Sequence, residues 1–263
     1  MQEKSVVQAL GGAFVVGGLI AVVAQCIMTV LGGIVPVPNL VAPLSLVVLG
    51  LIGMALVLCG AYKKITEIGG FGAGIMFCGL VDAVAGVFMG AAMEAGGDRS
   101  AGTKAAVKFA VAILGSIILV GTILGVVCAG TPGVQKVMAG ATVAHPGAIV
   151  FLYAFLMGGA ISIEGQALLT LAKLPDPVVI LGNAVLGMLL AVFGVAANLE
   201  VLTGAGLCAT VVDAGAGAVL GGAMIKVAGV PMVTVILVAV MAIVVSMGIV
   251  CGNVLLSRAK AAK

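Results

Sequence analysis

The sequence predicts an all-α, polytopic membrane protein built from two tandem repeats, and three observations support this. Hydrophobic residues make up 63% of the 263-residue chain and charged residues only 8%, whereas soluble domains carry about 25% charged residues. The apolar runs are continuous, which favours helices over the short alternating strands of a membrane β-barrel. The two halves also carry similar motifs in the same order.

Six apolar runs are long enough to cross a bilayer, for which a helix needs about 20 residues. They cover residues 11–35, 41–62, 106–130, 147–172, 178–198 and 229–256. Two further segments, 68–93 and 202–224, are rich in glycine, contain one aspartate each and follow a glutamate. Their composition alone leaves open whether they cross the membrane or enter it and return.

An internal repeat is indicated by motifs that recur in order. Phe14-Val-Val-Gly-Gly resembles Phe155-Leu-Met-Gly-Gly, and Gln25 matches Gln166. Further along, Gly72-Ala-Gly74 matches Gly204-Ala-Gly206, and Asp82 matches Asp213. We therefore expect a first repeat at 1–131, a linker at 132–146 and a second repeat at 147–263.

The basic residues favour one of two topologies. If the glycine-rich segments cross fully, each repeat has four spans, the repeats are parallel and the basic residues divide seven against five. If these segments are re-entrant, each repeat has three spans, the second is inverted, and only Lys136 and Lys226 lie outside against ten inside. The positive-inside rule favours the inverted arrangement of three spans plus a broken or re-entrant helix in each repeat.

Polar residues within these apolar segments are the candidate functional residues, because a polar group in lipid is costly. They are Gln25, Asp82, Glu164, Gln166 and Asp213. Each also has a structural explanation. A glutamine can bond to a neighbouring helix, an aspartate can lie at a wet interface, and Glu164 can be protonated or hydrogen-bonded. Glu67 and Glu200 are expected at the membrane surface.

The glycine turns complete the candidate path. Gly72, Gly74, Gly204 and Gly206 are expected to break their helices, although such glycines also serve close packing. The N-terminus of a broken helix presents free N–H groups and a partial positive charge, which suit an anion. A pair of such breaks, related by inversion, predicts a path for a small anionic solute.

Several functions are disfavoured. A net charge of +3 indicates no nucleic-acid partner. The six cysteines occur singly without a CxxC motif, which predicts neither a metal site nor disulfides. We find no nucleophile–base pair and no nucleotide-binding loop, so we expect neither enzymatic activity nor a cofactor.

The motifs resemble those of the stage V sporulation A (SpoVA) membrane proteins of the AC and AE type. In that family a unit begins with a stretch similar to FVVGGLIAVVAQ, residues 14–25 here, and later carries a turn similar to residues 69–74. The second half is similar at residues 155–166 and 203–206. The usual family member has one unit per chain, whereas this chain has two.

The resemblance implies movement of dipicolinic acid, as its calcium chelate, across the spore inner membrane in a complex with other membrane subunits. From the residues we expect a multi-pass cell-membrane protein that contacts lipid, a small anionic solute and other subunits or copies of itself. Two alternatives remain: a proton- or cation-coupled transporter that uses Asp82, Glu164 and Asp213, and a non-conducting structural subunit.

Overall fold

A computed structural model describes residues 5–139 and 147–261, which are almost entirely helical. The first half contains α1 (Val6–Gly32), α2 (Val41–Leu58), α3 (Ala61–Gly69), α4 (Phe71–Gly74), α5 (Phe77–Glu94), α6 (Arg99–Ala110), a π-helical turn (Val111–Gly115), α7 (Ser116–Cys128) and α8 (Pro132–Met138). The second half contains α9 (Ile149–Thr170), α10 (Asp176–Val192), α11 (Val195–Thr203), α12 (Ala205–Cys208), α13 (Val211–Ala228) and α14 (Met232–Ala261).

Seven of these helices are long and apolar enough to cross a membrane, counting Arg99–Cys128 as one. The helix α10 joins them if it is taken together with α11, to which it is bent by 105°. The prediction of an all-α polytopic membrane protein is confirmed. The segment predicted as a linker begins with the short helix α8, and its residues 140–146 lie outside the described residues.

The two halves have matching backbone geometry at their breaks. Helices α3 and α11 each follow a left-handed glycine, Gly60 (φ 77°) and Gly194 (φ 72°). Both end at a glycine of nearly the same unusual conformation, Gly70 (φ 49°, ψ −127°) and Gly204 (φ 50°, ψ −123°). Both pairs are separated by 134 residues, so we use this spacing to compare the halves.

Helices α1 and α9 cross at the centre of the molecule through small residues. A Cβ atom on Gly17 would overlap Ser162, and one on Gly158 would lie 2.5 Å from the Cβ of Ala21. The rings of Phe14 and Phe155 meet edge to face with their centroids 5.4 Å apart. Side chains other than hydrogen at these glycines would push the two backbones apart.

The two crossing helices run in opposite directions. Gly204 lies against both Gln25, in the last third of α1, and Val150, at the start of α9. At the other end, Gly72 approaches Ala13 of α1 while Gly70 approaches Gln166 of α9. Equivalent helices of the two halves are therefore antiparallel, as an inverted repeat requires, although the repeat itself stays a prediction.

Both ends of the segment from α3 to α5 lie at one end of the bundle, which we call the Leu58 end. The last turn of α14 holds both: Arg258 donates a hydrogen bond to the carbonyl of Leu58 at the end of α2, and Lys260 donates to the carbonyl of Gly97 after α5. Between these points the chain reaches the central crossing, where Gly72 touches Ala13. This path matches the re-entrant alternative.

The second half has the same arrangement at the opposite end, which we call the Gly194 end. Gly194, after α10, packs on Gly133 at the start of α8. Helix α13 runs along the last turns of α7 toward α8, since Gly121 lies against Ala218 and Gly125, one turn further along, lies against the N atom of Ala223. The segment from α11 to α13 therefore leaves from and returns to this end. By length alone, α5 and α13 could span the membrane. Because each of the two segments leaves from and returns to the same end of the bundle, both are better described as re-entrant elements.

Substituting Gly17 with alanine should destabilise the fold, because the added methyl group overlaps Ser162 at the α1–α9 crossing. We expect a loss of about 1–3 kcal/mol, typical of overpacking. Gly11→Ala is the matched control on the same helix, since nothing lies within 4 Å of its Cβ position. Thermal unfolding in detergent checks the pair, and equal melting temperatures for both variants would contradict the packing.

Candidate functional site

The helix breaks coincide only in part with the positions expected. The glycine turn of the first half is itself helical, because Gly72 and Gly74 belong to α4. The break occurs at Gly70, and the corresponding break at Gly204, where a positive φ with a strongly negative ψ excludes side chains. Gly206 lies within α12, where a Cβ would crowd Ala154. The prediction that Gly72 and Gly206 break the helices is wrong, whereas Gly204 lies at a break as expected and Gly74 is the last residue of α4.

Each break is capped by a glutamine from the opposite half. The Oε1 atom of Gln166 on α9 accepts a 2.8 Å hydrogen bond from the backbone N–H of Phe71, which opens α4. Reciprocally, Oε1 of Gln25 on α1 accepts a 2.8 Å bond from the N–H of Ala205, which opens α12. Both glutamines are buried. The two glutamines therefore satisfy the N–H groups at the helix breaks, which were expected to bind an anion.

A second break in each half brings the two re-entrant segments into direct contact. Met76 and Thr210 are extended and form an isolated antiparallel bridge. Beside it, the N–H of Phe77 donates to the carbonyl of Ala209. Met76 and Thr210 are fully buried. The irregular backbone is thus enclosed by protein, the condition under which it is tolerated at membrane depth.

Asp82 and Asp213 do not occupy equivalent positions. With the 134-residue spacing fixed by the breaks, Asp213 corresponds to Gly79 and Asp82 to Ala216. Asp213 therefore lies in the first turn of α13, and Asp82 lies three residues further along the same face of α5. The sequence match between the two aspartates is corrected by almost one helical turn, because the short motifs misplaced the glycine turns.

A wide cavity of about 580 Å³ lies beside the break of the first half. It extends from Gly70 and Gln166 at the centre to Asp176 and Pro177 at the start of α10, and Asp82 lies in its wall. A neighbouring cavity of about 560 Å³ shares Thr66 and Asp82 with it and reaches Gly60 and Lys63 beside Leu58. Both cavities therefore lie on the Leu58 side of the centre.

A narrow cavity of about 140 Å³ occupies the corresponding place in the second half. Six residues that line the wide cavity each have a counterpart, 134 positions away in the sequence, that lines the narrow cavity. The narrow cavity contains Asp213 and is lined by Pro43 at the start of α2 and Val233 at the start of α14. Because α2 and α14 both end at the Leu58 end, this cavity faces the Gly194 end.

Glu200 belongs to the interior of this second site. It is half-buried, and its carboxyl group lies beside that of Asp213, which also neighbours the thiol of Cys208. The expectation that Glu200 lies at the membrane surface is wrong, because α11 folds back into the protein.

Glu164 is separate from both cavities. It lies on α9 but does not line the wide or the narrow cavity. Its Oε2 atom is buried and has no hydrogen-bond partner within residues 5–139 and 147–261. Of the residues predicted to form the path, the structure thus brings Gln166, Gly74 and Asp82 together at the wide cavity, where they are joined by Gly70, which was not predicted.

Comparison with known protein families, with curated proteins and with solved structures finds no match for the chain. The resemblance to the SpoVA proteins therefore stays a prediction.

Removing the cap of either break should destabilise the protein. In Gln166→Leu the buried N–H of Phe71 loses its acceptor, which costs about 1–3 kcal/mol, and Gln25→Leu should do the same at Ala205. Thermal unfolding measures the difference, and unchanged melting temperatures in both leucine variants would show that the caps do not hold the breaks.

Proposed function

We propose that the chain is a membrane transport protein whose two inverted halves open their cavities alternately to opposite sides. The observation that carries this proposal is the unequal volume of two corresponding cavities, about 580 Å³ on the Leu58 side and about 140 Å³ on the Gly194 side. In inverted-repeat transporters, the binding region lies at the interface of the repeats, and access alternates when one repeat rocks against the other.

The unequal cavities support a carrier more than a channel. An open channel needs a continuous path, whereas here the fully buried bridge of Met76 and Thr210 joins the two segments that line the separate cavities. Part of the difference in volume comes from side chains, since Cys208 and Asp213 stand where the first half has Gly74 and Gly79.

The charge of the cavities favours a cationic solute or a coupled proton over an anion. Among the described residues, the wide cavity is lined by Asp82 and Asp176 and by no basic side chain. The N–H groups of Phe71 and Ala205, which would attract an anion, are already bonded to glutamines. These features weigh against an anionic solute such as dipicolinate and favour the proton- or cation-coupled alternative.

The proposed topology places the Leu58 end in the cytoplasm, because Lys63, Arg99 and Arg258 cluster there. We expect a cysteine at Ala95, after α5, to be protected from an impermeant thiol reagent added outside cells. A cysteine at Val230, after α13, should react. Both variants are made after replacing the six native cysteines. Labelling of both sites from outside would contradict the inverted topology.

Alternating access is tested at two corresponding positions, Ala83 in the wide cavity and Gly217 in the narrow one. Ala83→Cys should react rapidly from the cytoplasmic side, and Gly217→Cys slowly from outside. In the double variant, a bulky reagent attached to Cys at position 83 should hold the first cavity open. The state in which the second cavity is open is then populated less, so the labelling rate at position 217 should fall by about tenfold or more.

The result distinguishes the three functions predicted from the sequence. Independent, rapid labelling of both positions would indicate a channel and overturn the carrier. A cysteine at Gly217 that never reacts in the folded protein would indicate a fixed asymmetry and a structural subunit. Ala95→Cys after α5, an exposed site outside both cavities, controls for a general effect of the bulky reagent.

A further inference from the structure

We propose that the wide cavity binds a small organic cation that also carries a hydrogen-bond acceptor. The ammonium group would lie between Asp82 and the aromatic rings of the cavity, and the acceptor would face the amide of Gln166. This inference rests on the transport function proposed above and names its class of solute.

The size and lining of the cavity suit a small organic molecule. Its volume of about 580 Å³ falls within the range of about 300–1,000 Å³ that is typical of small-molecule sites. Most of its wall is apolar, from glycines and alanine of α5 to Leu169 and Ile180. A few polar groups in an apolar wall are the usual means of orienting such a ligand.

The charged groups of the cavity select a cation. Asp82 is half-buried in the wall, and Asp176 is exposed at the mouth. A carboxylate at membrane depth is costly unless a positive charge accompanies it. Within the described parts of the chain, no three His, Cys, Asp or Glu side chains cluster closely enough to hold a metal ion. The site therefore suits an organic ammonium group better than a dehydrated metal ion.

Two aromatic residues, Phe71 and Phe109, line the same cavity as Asp82. Aromatic faces attract ammonium and quaternary ammonium groups, and this attraction is stronger where water is excluded. An alkylated ammonium group also makes apolar contacts that an inorganic ion cannot make. The combination of one carboxylate with aromatic walls therefore points to an organic cation.

The amide of Gln166 supplies an independent indication of a ligand. Its side chain is only 8% exposed, and its Oε1 atom is occupied by the N–H of Phe71. This contact fixes the orientation of the amide, and Nε2 donates no hydrogen bond to any described residue although Gln166 lines the cavity. In the other half, Nε2 of Gln25 donates to Thr29 at 3.3 Å. The donor of Gln166 is therefore available to an acceptor within the cavity.

Binding of choline to the purified full-length protein in detergent tests this proposal. Choline has a quaternary ammonium group and a hydroxyl acceptor, and 3,3-dimethylbutanol is its neutral isostere. Calorimetry should show that choline binds at least about tenfold more tightly than the isostere, the factor expected for a charged partner. Tetramethylammonium, which lacks the acceptor, should bind several-fold more weakly than choline, and dipicolinate should not compete.

Asp82→Asn should weaken choline binding about tenfold or more, and Asp98→Asn should leave it unchanged. Asp98 caps α6 outside the cavity, and asparagine preserves that cap. Equal binding of choline and the isostere, or unchanged choline binding in a folded Asp82→Asn protein, would overturn the organic-cation assignment. If the Ala83–Gly217 coupling holds in that case, the transport function stands with another solute. If choline binds but labelling at positions 83 and 217 is not coupled, the binding site stands and the proposal of a carrier is overturned.

Discussion

The architecture depends on the close crossing of α1 and α9. Glycines at this crossing let the two backbones approach, since a Cβ on Gly17 or Gly158 would overlap the opposite helix. Only at this separation can a glutamine on either helix reach across to the break in the other half. The crossing thus brings together two pieces of irregular backbone, and the side chains of Gln25 and Gln166 accept hydrogen bonds from the N–H groups at the breaks. Without it, each break would leave unpaired polar groups at membrane depth.

The sequence predicted the fold class and five of the six long spans, because hydropathy and length determine where a helix can cross a bilayer. The sixth, 178–198, falls on α10 and the bend after it. The sequence identified the break at Gly204 but missed the one at Gly70. Residues 69–74 contain four glycines, and composition does not distinguish Gly70, which needs a positive φ, from Gly72, which needs only space beside Ala13. The error then shifted the match between Asp82 and Asp213, since both were aligned from the glycine turns.

The pairing of Glu200 with Asp213 could not be inferred from the sequence, because it depends on how α11 folds back against α13. A glutamate at the end of an apolar run ordinarily lies at the membrane surface. Here the left-handed Gly194 turns the chain by 105° after α10 and directs α11 into the protein. The sequence signal that identifies this turn is the match between Gly60 and Gly194, which becomes visible only once the 134-residue spacing is known.

The reciprocal glutamines also constrain how the halves can move. Gln25 belongs to the first half but caps the second, and Gln166 does the opposite. A displacement of one re-entrant segment relative to α1 or α9 therefore breaks a bond with the other half unless that half follows. Since an unpaired buried N–H is costly, the two segments are coupled through these bonds and through the Met76–Thr210 bridge. A change of access in such a molecule would be concerted, with one cavity closing as the other opens.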